Sequence, residues 1–188
     1  MIGERLRGVF AALGPDPDWY RFFDTTRAAM RRSFIPALLS IPFYGLIASA
    51  TQTERAQRLN SLEVDVPWAP FILVMLAYTF AFPFVAVISG TLFDKSDRWP
   101  AWITVRHWTM FFLAALLGIL YLLTEHGPLP FAVANTAGFA AWLGMLAIDI
   151  RLAQKVGGMG LGASVLIGSI ITTLGLSLIL ASLLLYIG

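Results

Sequence analysis

The sequence contains no cysteine. This absence excludes disulfide bonds, thiolate metal sites and catalysis by a thiol. Charged residues are also scarce, because they make up 13% of the chain, about half of their usual share in soluble domains. Hydrophobic residues make up 58%, and the net charge is only +2. This composition is typical of a polytopic membrane protein, and it makes nucleic acid a poor candidate partner.

Recognisable catalytic motifs are missing as well. The sequence has no glycine-rich phosphate loop, no zinc-protease helix and no nucleophile elbow. Its two histidines, His107 and His126, fall on opposite sides of the membrane in the topology described below, so they cannot share one metal ion. We therefore expect a protein that is not an enzyme and that holds no cofactor or metal.

Stretches without charged residues indicate the membrane spans. A spanning helix needs roughly 20 mostly apolar residues, and five such helices fit if the third is extended back through Arg106. The predicted spans lie near residues 34–52, 68–92, 101–123, 129–150 and 161–186. The expected fold class is all-α, a polytopic transmembrane bundle of five helices at 34–188, preceded by a cytoplasmic amphipathic segment at 1–33.

The positions of the basic residues predict the orientation. Five spans place the two termini on opposite sides, and cytoplasmic segments are enriched in Lys and Arg. With the N-terminus inside, only Arg55 and Arg58 of the 13 basic residues lie outside. We expect an N-in, C-out protein of a bacterial cytoplasmic membrane. Few apolar residues precede Gly14 and Pro15, so no cleaved secretory signal is expected.

The segment before the first span predicts an interfacial helix. Asp16, Pro17 and Asp18 are typical of a helix start. After them, aromatic residues recur at steps of three and four residues on one face, with arginines beyond it. Such a helix can lie in the membrane interface, with its arginines on anionic lipid headgroups; an ordinary helix packed beneath the bundle is the alternative. The residues assigned to this interfacial helix are Trp19, Phe22, Phe23, Arg27 and Arg31.

Three prolines predict irregularities in the first two spans. Pro36 disfavours helical geometry at Ile35, so the chain is expected to bend there. Pro42 and Pro83 lie inside the first and second spans, and each removes one backbone hydrogen bond. Each is therefore expected to kink its helix.

Small residues form stripes on the last two spans. Small side chains on one face let helix backbones approach closely. The two spans are expected to pack against each other along these stripes, and a seam between two copies of the chain is the alternative. The stripe on the last span is Gly160, Ser164, Gly168 and Thr172, and the stripe on the fourth is Ala134, Gly138, Ala141 and Gly144.

Arg106 and Asp149 are the charged residues placed within or at the edge of spans. Arg106 lies about 9 Å inside the third span, near enough to its end for the guanidinium to snorkel to the headgroups. Asp149 lies at a similar level of the fourth span, so an Arg106–Asp149 ion pair in the inner leaflet would satisfy both charges. His107 is expected to pack or to hydrogen bond at the interface. Alternatively, Asn135, Thr172 and His107 line a polar pathway.

The segment 90-GTLFDKSDRWPAWITVRHWTMFFLAALLG-118, together with the five spans and the cytoplasmic N-terminal segment, resembles the Yip1 family of small membrane proteins. That family's eukaryotic members are implicated in membrane trafficking, so the resemblance implies a scaffold or adaptor. We expect a non-enzymatic membrane scaffold or accessory subunit, whose partner is another membrane protein or a second copy of the chain. The alternative is a transporter or channel subunit for a small solute.

Overall fold

The computed structural model describes residues 2–60 and 66–187, with side chains as far as residue 178. Within this part of the chain, every regular element is helical. Five helical stretches are long and apolar enough to cross a membrane, which is the arrangement of a multi-pass membrane protein. These stretches are Arg27–Arg58, Trp68–Leu92, Trp99–His126, Phe131–Lys155 and Leu161–Leu178.

The helices are numbered here in chain order. A first helix and a 3-10 turn precede the long stretches: α1 (Ile2–Leu13) and the turn Trp19–Phe22. The first long stretch consists of three consecutive helices, α2 (Arg27–Arg32), α3 (Phe34–Leu39) and α4 (Ile41–Arg58). The other four are single helices, α5 (Trp68–Leu92), α6 (Trp99–His126), α7 (Phe131–Lys155) and α8 (Leu161–Ile187).

The four long helices α5 to α8 contact one another in a ring. Helix α5 packs against α6 and α8, and α7 packs against the same two helices. Helix α4 packs along α6, and α1 crosses the bundle where α6 begins and α7 ends. The residues packed at this end include Trp102, Ile103 and Leu152, each at most 1% exposed. We call it the α1 end of the bundle.

The bend predicted at Ile35 is wrong in its position, whereas the span is interrupted at Ser40, two residues before Pro42. The chain turns at Ser33 and Ser40, between helices, rather than at Ile35. Pro36 is the third residue of α3 and Pro42 is the second residue of α4. A proline is tolerated in the first turn because the backbone N–H that it lacks has no partner within the helix. Pro83, in contrast, does lie inside the single helix α5.

The predicted interfacial helix, to which Trp19, Phe23 and Arg31 were assigned, is not continuous, so this prediction is wrong. The chain forms a short 3-10 turn, passes through extended backbone at Phe23, and begins a new helix after Thr26, whose hydroxyl accepts from the Ala29 N–H at 3.2 Å. The Thr26 N–H donates to Asp24 at 3.0 Å, and this hydrogen bond lowers the pKa of the Asp24 carboxyl. Local side-chain to backbone hydrogen bonds therefore end the helical pattern here.

The aromatic residues of this segment face α1. Trp19 and Phe23 are 6% and 5% exposed. A Cβ atom on Gly8 of α1 would lie 2.5 Å from the Phe22 Cβ and 2.6 Å from the Phe23 Cε2, so only glycine allows this approach. Arg27 lies over the Trp99 ring at 5.5 Å, and both Arg27 and Arg31 are exposed. The aromatic face predicted to contact lipid is thus packed against protein.

Two basic residues of α7 hold the C-terminal end of α1. Lys155 Nζ donates to the Ala11 carbonyl at 2.7 Å and also to the Gly14 carbonyl. Arg151 donates from Nε to the Leu13 carbonyl at 3.2 Å and from Nη2 to the Gly14 carbonyl at 3.0 Å. The last carbonyls of a helix lack partners within it and carry partial negative charge, so cations are favourable there.

Candidate buried polar site

The Arg106 and Asp149 side chains form a bidentate ion pair between α6 and α7. Arg106 Nε donates to Asp149 Oδ1 at 2.7 Å, and Nη2 donates to Oδ2 at 3.2 Å. The side chains are 2% and 1% exposed. The structure therefore brings together the two charged residues that the sequence analysis paired. The two parallel hydrogen bonds fix the relative position of the two helices.

Arg106 does not snorkel, contrary to the sequence expectation. Its guanidinium points into the bundle, with its carbon 4.1 Å from the centre of the Phe82 ring. Its Nη2 also donates to the Tyr78 hydroxyl at 3.1 Å. A charge with a fixed counter-ion, a hydroxyl acceptor and an aromatic face is compensated within the protein, so it need not reach the headgroups.

Tyr78 and Phe82 were not identified from the sequence as parts of this site. They lie one turn apart on α5, so both reach Arg106 from the same face of that helix. The sequence did contain one signal for Tyr78. A buried tyrosine hydroxyl within an apolar helix usually has a hydrogen-bond partner, so Tyr78 was a candidate for a buried polar contact. The Tyr78–Arg106–Asp149 group thus joins three helices of the ring, α5, α6 and α7.

A cavity of about 180 Å³ lies within the bundle beside this group. All four helices of the ring line it, and Tyr44 reaches it from α4. Apolar side chains form most of its wall, including Met75, Met110 and Met145, and the polar residues Asp149 and Thr172 are also among the residues that line it. Pockets that bind small molecules have this character, an apolar wall with a few polar groups that orient the ligand.

A second and smaller cavity, of about 20 Å³, is lined by Arg106, His107 and Ser40. Tyr44 and Tyr78 line both cavities, so the Tyr78–Arg106–Asp149 group lies beside each of them. His107 is 3% exposed, and its Nδ1 lies 2.9 Å from the Ser33 hydroxyl. Its Nε2 is buried without a hydrogen-bond partner. A space of this size can hold one water molecule.

The structure does not assemble the predicted polar pathway as one group. Asn135 is exposed, and it is not among the residues that line either cavity. Thr172 lines the large cavity, and its hydroxyl oxygen is buried without a partner. His107 lines only the small one of these two cavities. Of the predicted set, Thr172 alone lies at the larger space.

The small-residue stripes of α7 and α8 do not face each other. A Cβ atom on Gly168 would lie 2.6 Å from the Ile150 Cγ1, so that glycine faces α7, and Ser164 is fully buried. On α7, however, Gly138 faces the Tyr121 hydroxyl of α6, and a Cβ on Gly144 would meet nothing within 4 Å. Gly160 precedes α8 and is exposed. The two helices do pack together, but the α7 stripe was misassigned.

Among residues 2–60 and 66–187, no group of three or more His, Asp and Glu side chains is placed to hold a metal ion. Comparisons of the chain with protein-family models, with curated proteins and with solved structures find no match.

Proposed function

We propose that this chain is a transporter or channel subunit for a small solute, which occupies the cavity between α5, α6, α7 and α8. The observation that carries the proposal is a cavity of about 180 Å³ that is bordered by Asp149 of a buried ion pair. Ionisable residues inside membrane spans are rare, and those that face a cavity commonly mark a substrate or ion pathway. A protein whose only task is to present a surface needs no such interior.

The Tyr78–Arg106–Asp149 group acts as the gate in this proposal. It lies beside both cavities, and it joins three helices through hydrogen bonds of 2.7 to 3.2 Å. Beyond it, the α1 end of the bundle is closed by packed side chains such as Trp102 and Leu152. A solute therefore leaves toward the α1 end only when these contacts rearrange, as alternating access requires.

A scaffold of the kind that the Yip1 resemblance implies is the second candidate. The observation that favours it is an exposed apolar stripe on α1, where Ile2, Leu6 and Phe10 are 65%, 37% and 68% exposed. The small-residue stripe of α8 supports it less, because Gly168 of that stripe already faces Ile150 of the same chain. The proposed setting is in both cases a bacterial cytoplasmic membrane, with the N-terminus inside and basic residues near anionic lipid.

Cysteine accessibility tests the transport proposal, because the chain has no native cysteine. Thr172→Cys places a thiol at the cavity, and Thr173→Cys places one on the neighbouring, exposed position of the same helix, which faces lipid in this topology. A small uncharged methanethiosulfonate that carries a hydroxyl group is added to each side of oriented membrane vesicles. We expect reaction at Thr172→Cys from both sides and none at Thr173→Cys.

The positive control is Asn60→Cys, at an exposed position just after α4 ends. If this thiol reacts while Thr172→Cys stays unmodified from either side, the cavity has no aqueous access. That result would reject transport and leave the scaffold as the better account.

A further inference from the structure

The size of the large cavity limits what it can hold. A cavity of about 150 Å³ in another protein accommodates benzene, and the cavity here measures about 180 Å³. It therefore suits a single ring or a chain of similar volume rather than a drug-sized molecule. We infer that its ligand is a small neutral amphiphile, an aromatic or aliphatic alcohol with one hydroxyl group; this inference rests on the proposed function and names its substrate class.

The cavity wall matches the apolar part of such a molecule. Three methionines, Met75, Met110 and Met145, approach it from α5, α6 and α7. Methionine is unbranched and polarisable, so it adapts to irregular shapes and makes favourable contacts with aromatic rings. Val74 and Leu117 extend the same apolar surface. A ring or an alkyl chain therefore gains contacts on several sides at once.

The polar atoms at the cavity match a hydroxyl group. Each Asp149 oxygen accepts one hydrogen bond from Arg106, and a carboxylate oxygen has a second lone-pair site. The Thr172 hydroxyl oxygen has no partner, although it is buried. A ligand hydroxyl can donate to Asp149, or it can complete the hydrogen bonding of Thr172 once that side chain rotates about χ1, and a pure hydrocarbon can do neither. An unpartnered buried hydroxyl costs free energy, so pairing it favours binding.

The charge balance selects a neutral ligand. Arg106 and Asp149 already compensate each other through two hydrogen bonds. The other polar residues that line the cavity, Tyr44, Tyr78 and Thr172, carry hydroxyl groups. A carboxylate or an ammonium ion would bring an uncompensated charge into an apolar space, which is strongly unfavourable. A neutral hydroxyl keeps the site neutral.

Binding of four ring compounds tests the ligand class. Phenol, benzene, benzoate and benzylammonium are titrated by calorimetry against the full chain in lipid nanodiscs, with empty nanodiscs as the blank for partition into lipid. We expect phenol to bind about fivefold more tightly than benzene, the effect of one net hydrogen bond. The two charged compounds should show no binding above the blank.

Two matched variants assign the effect to the cavity. Thr172→Val removes the hydroxyl and keeps the shape, and Thr173→Val makes the same change at the neighbouring exposed position. In Thr172→Val, phenol affinity should fall toward that of benzene, while benzene affinity stays unchanged and so shows that the cavity is intact. Thr173→Val should bind both compounds as the unsubstituted chain does.

Equal affinity for phenol and benzene, or binding of a charged compound, would overturn the ligand class. If this occurred while Thr172→Cys still reacted from both sides, transport would stand with a different solute. Hydroxyl-dependent phenol binding with an unreactive Thr172→Cys would support the ligand class and reject transport.

Discussion

Arg106 and Asp149 show why two charges persist inside an apolar bundle. Each would be costly alone in lipid, but together they share two hydrogen bonds, and Tyr78 and Phe82 provide further contacts for the guanidinium. Removal of either partner leaves the other charge buried without its counter-ion.

This pairing makes a prediction for stability. Asp149→Leu should destabilise the fold by about 3–5 kcal/mol, because it leaves Arg106 charged and buried. Arg106→Met should have a similar cost, because it leaves the Asp149 carboxylate buried without its counter-ion. The double variant should be at least as stable as Asp149→Leu alone. Thermal or denaturant unfolding in detergent measures all three, with the exposed Arg7→Met as a control. If the losses of the two single variants add up in the double variant, the pair is not coupled.

Close packing between α7 and α8 depends on glycine at one position. The backbone N of Ile150 would lie 3.1 Å from a Cβ on Gly168, and its Cγ1 would lie 2.6 Å away. The Cγ1 is not the end of a flexible side chain, so the helices must separate to admit a methyl group. Gly144 on α7 has open space where its Cβ would be. Close packing therefore requires glycine at position 168 but not at position 144.

The matched pair Gly168→Ala and Gly144→Ala tests this difference. Gly168→Ala should destabilise the fold by about 1–3 kcal/mol through overpacking. Gly144→Ala should be neutral or stabilising by up to about 1 kcal/mol, because alanine favours the helix. Unfolding in detergent followed by circular dichroism compares them. If Gly144→Ala lost as much stability as Gly168→Ala, helix propensity would not determine the stability of the Gly144→Ala variant.

Helix α1 is attached through its C-terminal carbonyls, which Lys155 and Arg151 contact. Lys155→Met should therefore increase hydrogen exchange of the α1 amides by about tenfold or more, since hydrogen bonds to charged groups contribute about 1.5–3 kcal/mol. Arg31→Met changes an exposed arginine outside this contact and should leave the α1 amides unaffected. Unchanged exchange in Lys155→Met would mean that burial of Val9 and Ala12 alone holds the helix.

At the scale of the whole molecule, large apolar side chains are exposed on all the long helices of the ring. Examples are Leu73, Leu116, Leu143 and Leu166, each at least 54% exposed. Such a surface is unfavourable in water and ordinary in lipid, so the bilayer is the natural solvent of this fold. In the proposed topology, most of the basic residues lie on the same side as the N-terminus, and cytoplasmic segments are enriched in Lys and Arg.

Single cysteines can determine this orientation. Asn60→Cys lies beyond α4, and Ser96→Cys lies between α5 and α6, so one membrane span separates them. In intact cells, a membrane-impermeant thiol reagent should label Asn60→Cys at once and Ser96→Cys only after permeabilisation. The reverse pattern would invert the orientation, and labelling of both in intact cells would contradict the span count.

The five membrane stretches were predictable because they are local. Hydropathy depends on the run of residues itself, and the four single-helix spans match the predicted ranges closely; α6 begins at Trp99 and continues through Arg106, as the extension of the third span required. Helix α1 was missed, although Ile2, Leu6, Val9 and Leu13 recur at helical spacing and Gly14 and Pro15 end the pattern.

The site could be predicted only in part. The Arg106–Asp149 ion pair was predicted from charge alone, since two opposite charges at similar depth in apolar spans favour pairing. Whether Arg106 turns outward or inward depends on the side chains around it. Two of these, Tyr78 and Phe82, come from α5 and lie 28 and 24 residues earlier in the chain. The cavity likewise depends on how four helices meet. The order of residues along the chain therefore predicts the membrane helices and the charges they carry, while tertiary packing establishes which atoms meet and where space is left between them.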